Sequence, residues 1–238
     1  MAELLLTVDT STPAGSVALT SGESLIGEFL LRGPGTHSDY LLSHLHRLLA
    51  DVGAVPSQLD GFGVVIGPGS FTGLRVGIAT VKGLALALDR PVAPVSSLQT
   101  LALNVPFASH PVCALLDARK KEVYAGIYRW EGGLPMALGE ERVLSPEKFL
   151  ESAGEEAIFI GDGALAYRTL IVRQFGSRGH FLPGPLNLPR ASAAAILALN
   201  RFRAGETESA QTLLPRYLRL SEAEIHWSRK NPGTPIRG

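Results

Sequence analysis

The chain repeats one short unit in its two halves: an apolar run that ends in an aspartate, a tight polar turn, and a second apolar run. The first copy is LLLTVDT followed by AGSVALT, where Asp9 ends the first run, and the second is PVCALLDA followed by EVYAGIYRW, where Asp117 does so. Apolar runs bounded by turn residues predict buried strands. We therefore predict an α/β fold of two similar lobes with duplicated mixed sheets, over residues 1–108 and 109–238. A ligand crevice is expected between the lobes, at the strand ends.

Two segments of the first half have helical spacing. THSDYLLSHLHRLLADVG predicts a helix over Thr36–Val52, because Thr36 and Asp39 form a capping pair and leucines recur on one face. LRVGIATVKGLALAL predicts a second helix through Leu88 that is apolar on nearly every side. Such a helix is covered either by its own lobe or by another chain, and the sequence leaves both open. Residues from about Thr212 onward are expected to be extended or loose.

Composition restricts the kinds of partner and the cellular location that we expect for this chain. The formal net charge of +0 gives no concentrated positive field for a phosphate backbone, so any contact with RNA is expected to be made mostly through a partner. The single cysteine, Cys113, lies in an apolar run and is predicted to be buried and inert. No membrane span is predicted, because Arg75 and Lys82 interrupt the longest apolar stretch. Without a recognisable leader, a cytoplasmic location is expected.

The strongest local motif is GPGSFTGLRVG, which contains Gly67, Gly69 and Gly73. Glycines permit close backbone approach to an anion at a helix N-terminus, but they also permit a tight turn that only packs. No Lys-Ser/Thr pair follows Gly73, so this is not a Walker A loop. Ser70 also lacks the flanking glycines of a nucleophile elbow. For these glycines, a role in packing is favoured over a role in anion binding, but the sequence alone does not decide between the two.

The turn Asp9-Thr10-Ser11 resembles the first phosphate loop of actin, sugar kinases and heat-shock ATPases. Ser11 stands where that loop has a glycine, and Arg119 begins a bulky turn in the second half. Such side chains crowd a phosphate that backbone amides would otherwise hold. We therefore predict no catalytic residue and at most a degenerate nucleotide site, formed by Asp9, Thr10, Ser11, Gly67, Gly69, Ser70, Gly73 and Asp117. No metal site is predicted, because no histidine pair has the i,i+4 helix spacing of zincins.

A family resemblance covers almost the whole chain. VDTSTPAGSVAL, THSDYLL, GPGSFTGLRVG, VSSLQTLA, LLDARKKEVYAGIY and LLPRYLRLSEAE occur in the order found in the TsaB (YeaZ) family. This resemblance implies an actin-like (ASKHA) fold and a non-catalytic dimerisation subunit for N6-threonylcarbamoylation of an adenosine beside the tRNA anticodon. It implies a larger catalytic paralogue (TsaD-like), which binds nucleotide and metal, and an ATPase (TsaE-like). Nucleotide is then expected only in the assembled complex. The alternative is an ATP-binding enzyme of this fold, such as a small-molecule kinase or a hydrolase.

The resemblance also implies that the two helices of the first lobe form the subunit interface, as a homodimer alone and with the paralogue in the complex. Apolar residues on these helices are the predicted contacts: Leu41, Leu45, Leu48, Leu74, Ile78 and Val81. Small residues in the second helix would allow a neighbouring helix to approach closely.

Overall fold

The structure is a computed structural model that describes residues 2–33 and 35–219. Its first sheet has the order β3-β2-β1-β4-β5, in which β1, β2 and β3 are antiparallel neighbours and β1, β4 and β5 are parallel. These strands are β1 (Leu4–Asp9), β2 (Gly15–Ser21), β3 (Ser24–Leu31), β4 (Gly61–Gly67) and β5 (Val92–Ser96). The predicted strand, turn and strand around Asp9 are confirmed.

Helices cover both faces of this sheet. Side chains alternate across a strand, so Val64 of β4 packs with the helices of one face and Val65 with the helix of the other. The helices of the first lobe are α1 (His37–Asp51) and α2 (Phe71–Leu88). The short helix α3 (Ser97–Ala102) follows β5 and contacts both sheets, with its buried side chains in the core of the second. The predicted capping pair is present at α1, where the Asp39 carboxylate accepts from the Thr36 backbone amide at 2.6 Å.

The second lobe repeats the arrangement of the first. Its sheet has the order β11-β10-β6-β7-β8, with β6 antiparallel to β7 and parallel to β10, and β9 pairs with β7. Its strands are β6 (Val112–Asp117), β7 (Val123–Glu131), β8 (Leu134–Ala137), β9 (Arg142–Leu144), β10 (Ala157–Ile160) and β11 (Gly179–Phe181). Its helices are α4 (Pro146–Leu150), α5 (Asp162–Ala166) and α6 (Arg168–Phe175). Three short 3-10 turns occupy Pro56–Gln58, Gly176–Arg178 and Gly184–Asn187. Two such duplicated mixed sheets form an actin-like fold.

Cys113 is buried in this second lobe, and burial raises the pKa of its thiol, as expected for an inert cysteine.

The last helix corrects the predicted division of the chain at residue 109. Helix α7 (Ala191–Arg203) packs on the first sheet, not the second, where Ala198 lies against the open position at Gly63. The small residues of this helix allow that close approach. The second lobe therefore ends before α7, and the chain returns to the first lobe.

The segment 208–219, which we call the strap, also departs from expectation. It begins with a turn, in which the Leu213 amide donates to the Ser209 carbonyl, and it is packed rather than loose. Glu208 bridges Val92, Leu213 is fully buried, and the Arg216 amide donates to the Ile66 carbonyl at 2.8 Å. The rest of the predicted tail lies outside the described residues.

Helix α2 has the length and mean hydropathy of a membrane-crossing helix, in contrast to the sequence prediction. One of its sides is buried against the lobe, including Leu74, Ile78 and Val81. About a third of the helix is buried in this way, and one helix of this kind is only weak evidence for a membrane span.

Candidate functional site

The turn after β1 is held closed by its own side chains. One Asp9 carboxylate oxygen accepts a hydrogen bond from the Ser11 amide at 2.8 Å. The Thr10 hydroxyl donates to the Gly73 carbonyl at 2.8 Å, and the Thr12 hydroxyl donates to the Ala14 carbonyl at 3.1 Å. Asp9, Thr10 and Ser11 are all buried. The turn is therefore a packed element, and its amides are directed at the protein itself.

Asp9 is an energetically costly residue in this turn. Burial raises the pKa of its carboxyl group above the usual range, opposed by the hydrogen bond from Ser11 and by the proximity of His37. Its second carboxylate oxygen has no hydrogen-bond partner among the described residues. The His37 ring donates to the Thr12 carbonyl at 2.8 Å, so it closes the turn from the side of α1.

The glycine loop packs directly on this first turn. A Cβ atom at Gly69 would lie 2.2 Å from the Ser11 carbonyl oxygen, and one at Gly73 would lie 2.1 Å from that of Thr10. The Ser70 amide donates to the Ser11 carbonyl at 2.8 Å, and the Ser70 hydroxyl caps α2 by accepting from the Gly73 amide at 3.2 Å. These glycines are thus required by backbone packing. Of the two roles left open by the sequence, packing is the one the geometry supports.

Gly67 has a different constraint from the other two glycines. It has a φ of 122°, a region that favours glycine, and a Cβ there would lie 2.7 Å from the Arg216 carbonyl oxygen of the strap. This glycine therefore makes room for the strap.

The turn after β6 is closed in the same way as the first. Asp117 accepts from the Arg119 amide at 2.9 Å, as Asp9 does from Ser11. Arg119, Lys120 and Lys121 all have positive φ, between 53° and 61°, a conformation that is uncommon outside glycine. The Asp117 amide donates to the Asp162 carboxylate at 2.9 Å. Burial raises the pKa of Asp162, and the nearby Asp117 charge adds to that rise.

A cavity of about 640 Å³ separates the two turns, in the predicted crevice. Four of the predicted site residues line it, namely Ser11, Gly69, Ser70 and Asp117. The other four, Asp9, Thr10, Gly67 and Gly73, are not among its lining residues. Half of the predicted site residues therefore line one cavity.

The cavity wall also contains charged residues that the sequence analysis missed. Arg75, Arg119, Lys120 and Arg219 line the cavity together with Asp117 and Asp162. Arg119 lies 3.4 Å from the Asp117 carboxylate of its own turn. Arg75 donates to the Tyr217 hydroxyl at 3.0 Å, and Arg219 donates to the Ala118 carbonyl at 2.6 Å and pairs with Glu122. Asp162 could have been found, because it follows an apolar strand as Asp9 and Asp117 do. Arg219 had no comparable signal.

The six predicted interface residues require a correction. Leu41, Leu45, Leu48, Leu74, Ile78 and Val81 are all buried in the core of the first lobe. The reason is that α1 lies over α2 and β2, so the leucine stripe of α1 fills its own lobe. Other residues of the same helices are exposed: Leu42 of α1 is 60% exposed and Leu86 of α2 is 63% exposed, and Ala79 and Gly83 of α2 are exposed as well.

The expectation about histidines also changes once the fold is known. No helical pair exists, but His110 and His180 lie on either side of Glu156 at the edge of the second lobe. Seventy residues separate the two histidines, so only the tertiary structure brings them together.

Together, the duplicated sheets and the crevice between two self-closed turns define a protein of the actin-like class. The family model for TsaD, tRNA N6-adenosine threonylcarbamoyltransferase, matches residues 35–227. The protein named tRNA threonylcarbamoyladenosine biosynthesis protein TsaB of Bacillus subtilis is 31% identical over 94% of this chain and 97% of its own length. Its Escherichia coli counterpart is 32% identical over 96% of this chain and 98% of its own. The crystal structure of YeaZ from Pseudomonas aeruginosa is 36% identical with a TM-score of 0.79, covering 91% of this chain and all of that one. The chain belongs to the TsaB family.

Proposed function

We propose that this chain is a non-catalytic subunit in the biosynthesis of threonylcarbamoyladenosine in tRNA. Its curated relatives carry that role in their names and align along nearly their whole length. The observation that carries the non-catalytic part is the closure of both turns: Asp9 and Asp117 each accept an amide of their own turn, at 2.8 and 2.9 Å. Amides bonded in this way are not free to hold a phosphate. The protein acts in the cytoplasm.

In this proposal, partner proteins carry out the catalytic steps. A larger actin-fold paralogue of the TsaD type carries out the transfer, and an ATPase of the TsaE type completes the assembly. With balanced charge, this chain contacts tRNA only through the complex. A nucleotide would be held here only when a partner completes the crevice.

The second candidate is an ATP-binding enzyme, and the basic residues of the crevice are what favour it. Arg75 and Arg219 are already bonded to protein groups, so they are poorly placed to neutralise a phosphate. We expect no ATP turnover by the purified chain. Turnover near 1 s⁻¹, about the low end of ordinary enzymes, together with its loss in Asp117→Ala, would support the enzyme instead.

The subunit interface is proposed on the exposed faces of α1 and α2. Leu42 and Leu86 are the large apolar residues there, and Ala79 and Gly83 would let a helix of a second chain approach closely. A stable contact buries about 800 Å² per partner. The same surface would serve the homodimer and the paralogue complex, so the two assemblies would compete.

The test places one charge on this surface. Leu42→Glu should give a monomer in sedimentation and should fail to co-purify with the paralogue, because a carboxylate is costly to bury unpaired. Val172→Glu is the matched control, since Val172 is 46% exposed on α6 of the other lobe. Leu45→Glu is unsuitable, because Leu45 is buried in the lone chain and its change would unfold the lobe. If Leu42→Glu still dimerises and captures the paralogue, the interface lies elsewhere.

A further inference from the structure

Three ligating side chains meet at one edge of the second sheet. The Glu156 carboxylate lies 2.8 Å from Nε2 of His180 and 3.6 Å from Nε2 of His110. The ligand atoms of all three residues lie within 4.8 Å of one another. The two imidazole rings are stacked, with centroids 5.5 Å apart and planes 16° from parallel. Two histidines thus converge on one carboxylate oxygen.

The sheet register explains why they converge. Strands β6, β10 and β11 are parallel neighbours, and Ile158 pairs with both Val112 and His180. Two residues earlier in this register, Glu156 stands opposite His110. Positions two apart point to the same face of a sheet, so the three side chains share one face at the amino ends of their strands.

We propose that His110, Glu156 and His180 form a divalent transition-metal site, with zinc as its preferred ion. Two imidazoles and one carboxylate are a known zinc ligand set, with water as a fourth ligand. Bond lengths of about 2.0–2.1 Å place tetrahedral ligands about 3.3 Å apart. The distances of 2.8 and 3.6 Å lie on either side of that value, so small rotations of exposed side chains suffice.

The charge at this site suits a cation. Glu156 supplies a carboxylate oxygen beside two imidazole nitrogens. Zinc would replace the hydrogen bond between His180 and Glu156. Mixed nitrogen and oxygen ligands favour zinc over magnesium, which prefers oxygen alone.

The site is separate from the crevice. Asp117 ends β6 at its carboxyl end, whereas His110 precedes its amino end, roughly 20 Å away at about 3.3 Å per residue. A metal here would therefore join three strands of the second lobe and stabilise it. This stabilising effect is independent of the proposed function.

The test is zinc binding by the untagged full chain, measured by titration calorimetry with zinc chloride near pH 7.5. We expect one zinc per chain, no binding of magnesium chloride, and weaker binding at pH 5.5, because the ligand nitrogens must be unprotonated. Zinc at a hundredfold excess over its dissociation constant should raise the melting temperature by roughly 5–10 °C.

Three substitutions and one control locate the site. His110→Ala, His180→Ala and Glu156→Gln should each weaken zinc binding at least about tenfold, the low end of what even outer-shell changes cost. His46→Ala removes an exposed histidine of α1 and should leave binding unchanged. Absence of binding at about 100 μM zinc, or equal affinity in His110→Ala and the parent chain, would overturn the proposal.

Discussion

The substitution Gly73→Ala tests whether the glycine loop exists for packing. A Cβ at Gly73 would lie 2.1 Å from the Thr10 carbonyl oxygen, whereas carbon and oxygen normally approach to about 3.3–3.6 Å. The contact atom belongs to the backbone, so α2 or the first turn must move by more than about 1 Å. The movement would also break the hydrogen bond from the Thr10 hydroxyl to the Gly73 carbonyl.

The expected cost follows from these two losses. Overpacking costs about 1–3 kcal/mol, and the hydrogen bond contributes about 1 kcal/mol. Replacing glycine by alanine in a helix returns up to about 1 kcal/mol. We therefore expect Gly73→Ala to lower the free energy of unfolding by about 1–3 kcal/mol.

Gly83→Ala is the matched control on the same helix. A Cβ at Gly83 has no neighbour within 4 Å, so only the helix preference remains and the protein should gain about 0.5–1 kcal/mol. Urea unfolding followed by circular dichroism measures both variants. Gly83 lies on the proposed interface, so the midpoint should first be shown to be independent of protein concentration. Equal stability of the two variants would refute the packing explanation.

Two further predictions concern buried carboxylates. Glu141 accepts from Ser96 and Tyr128 and pairs with Arg216 of the strap at 2.9 Å. Glu141→Ala should lower the free energy of unfolding in urea by about 2–3 kcal/mol. This is less than the loss of a fully buried ion pair would cost, because Arg216 is 42% exposed. A decrease smaller than the measurement error would contradict the prediction. The raised pKa of Asp9 means that the folded state binds its proton more tightly. Stability of the parent should therefore fall relative to Asp9→Asn as pH rises through the folded pKa, by up to about 1.4 kcal/mol per pH unit. If the difference in unfolding free energy between the parent and Asp9→Asn is the same at every pH, this prediction is wrong.

Much of the fold could be predicted because its signals are local. The apolar runs before Asp9 and Asp117 predict their strands, and the capping pair of Thr36 and Asp39 predicts the start of α1. The strand β5 was missed, since VAPVS is short and contains a proline that usually marks a loop. The apolar segment ALAYRTLIVRQFG predicts a single helix, but the structure has two, α5 and α6, which meet at Tyr167.

The site was predicted less well, for a physical reason. A stripe such as Leu41, Leu45 and Leu48 shows that a helix face is buried, but not whether its own lobe or another chain covers it. The packing of α1 on α2 and β2 decides that question only in three dimensions. The same holds for His110 and His180, whose proximity depends on the pairing of β6, β10 and β11.

The strap gives the two lobes a fixed relation, and this bears on what the crevice can do. The Arg216 amide holds Ile66 of the first lobe while its guanidinium holds Glu141, and Arg219 holds the Ala118 carbonyl of the second lobe. Enzymes that close around a ligand need hinges that absorb backbone rotation. Here one segment is bonded to both sides of the crevice. A crevice bridged in this way, with both of its turns self-closed, fits the proposed role as a surface for partner proteins better than a site that must enclose a nucleotide.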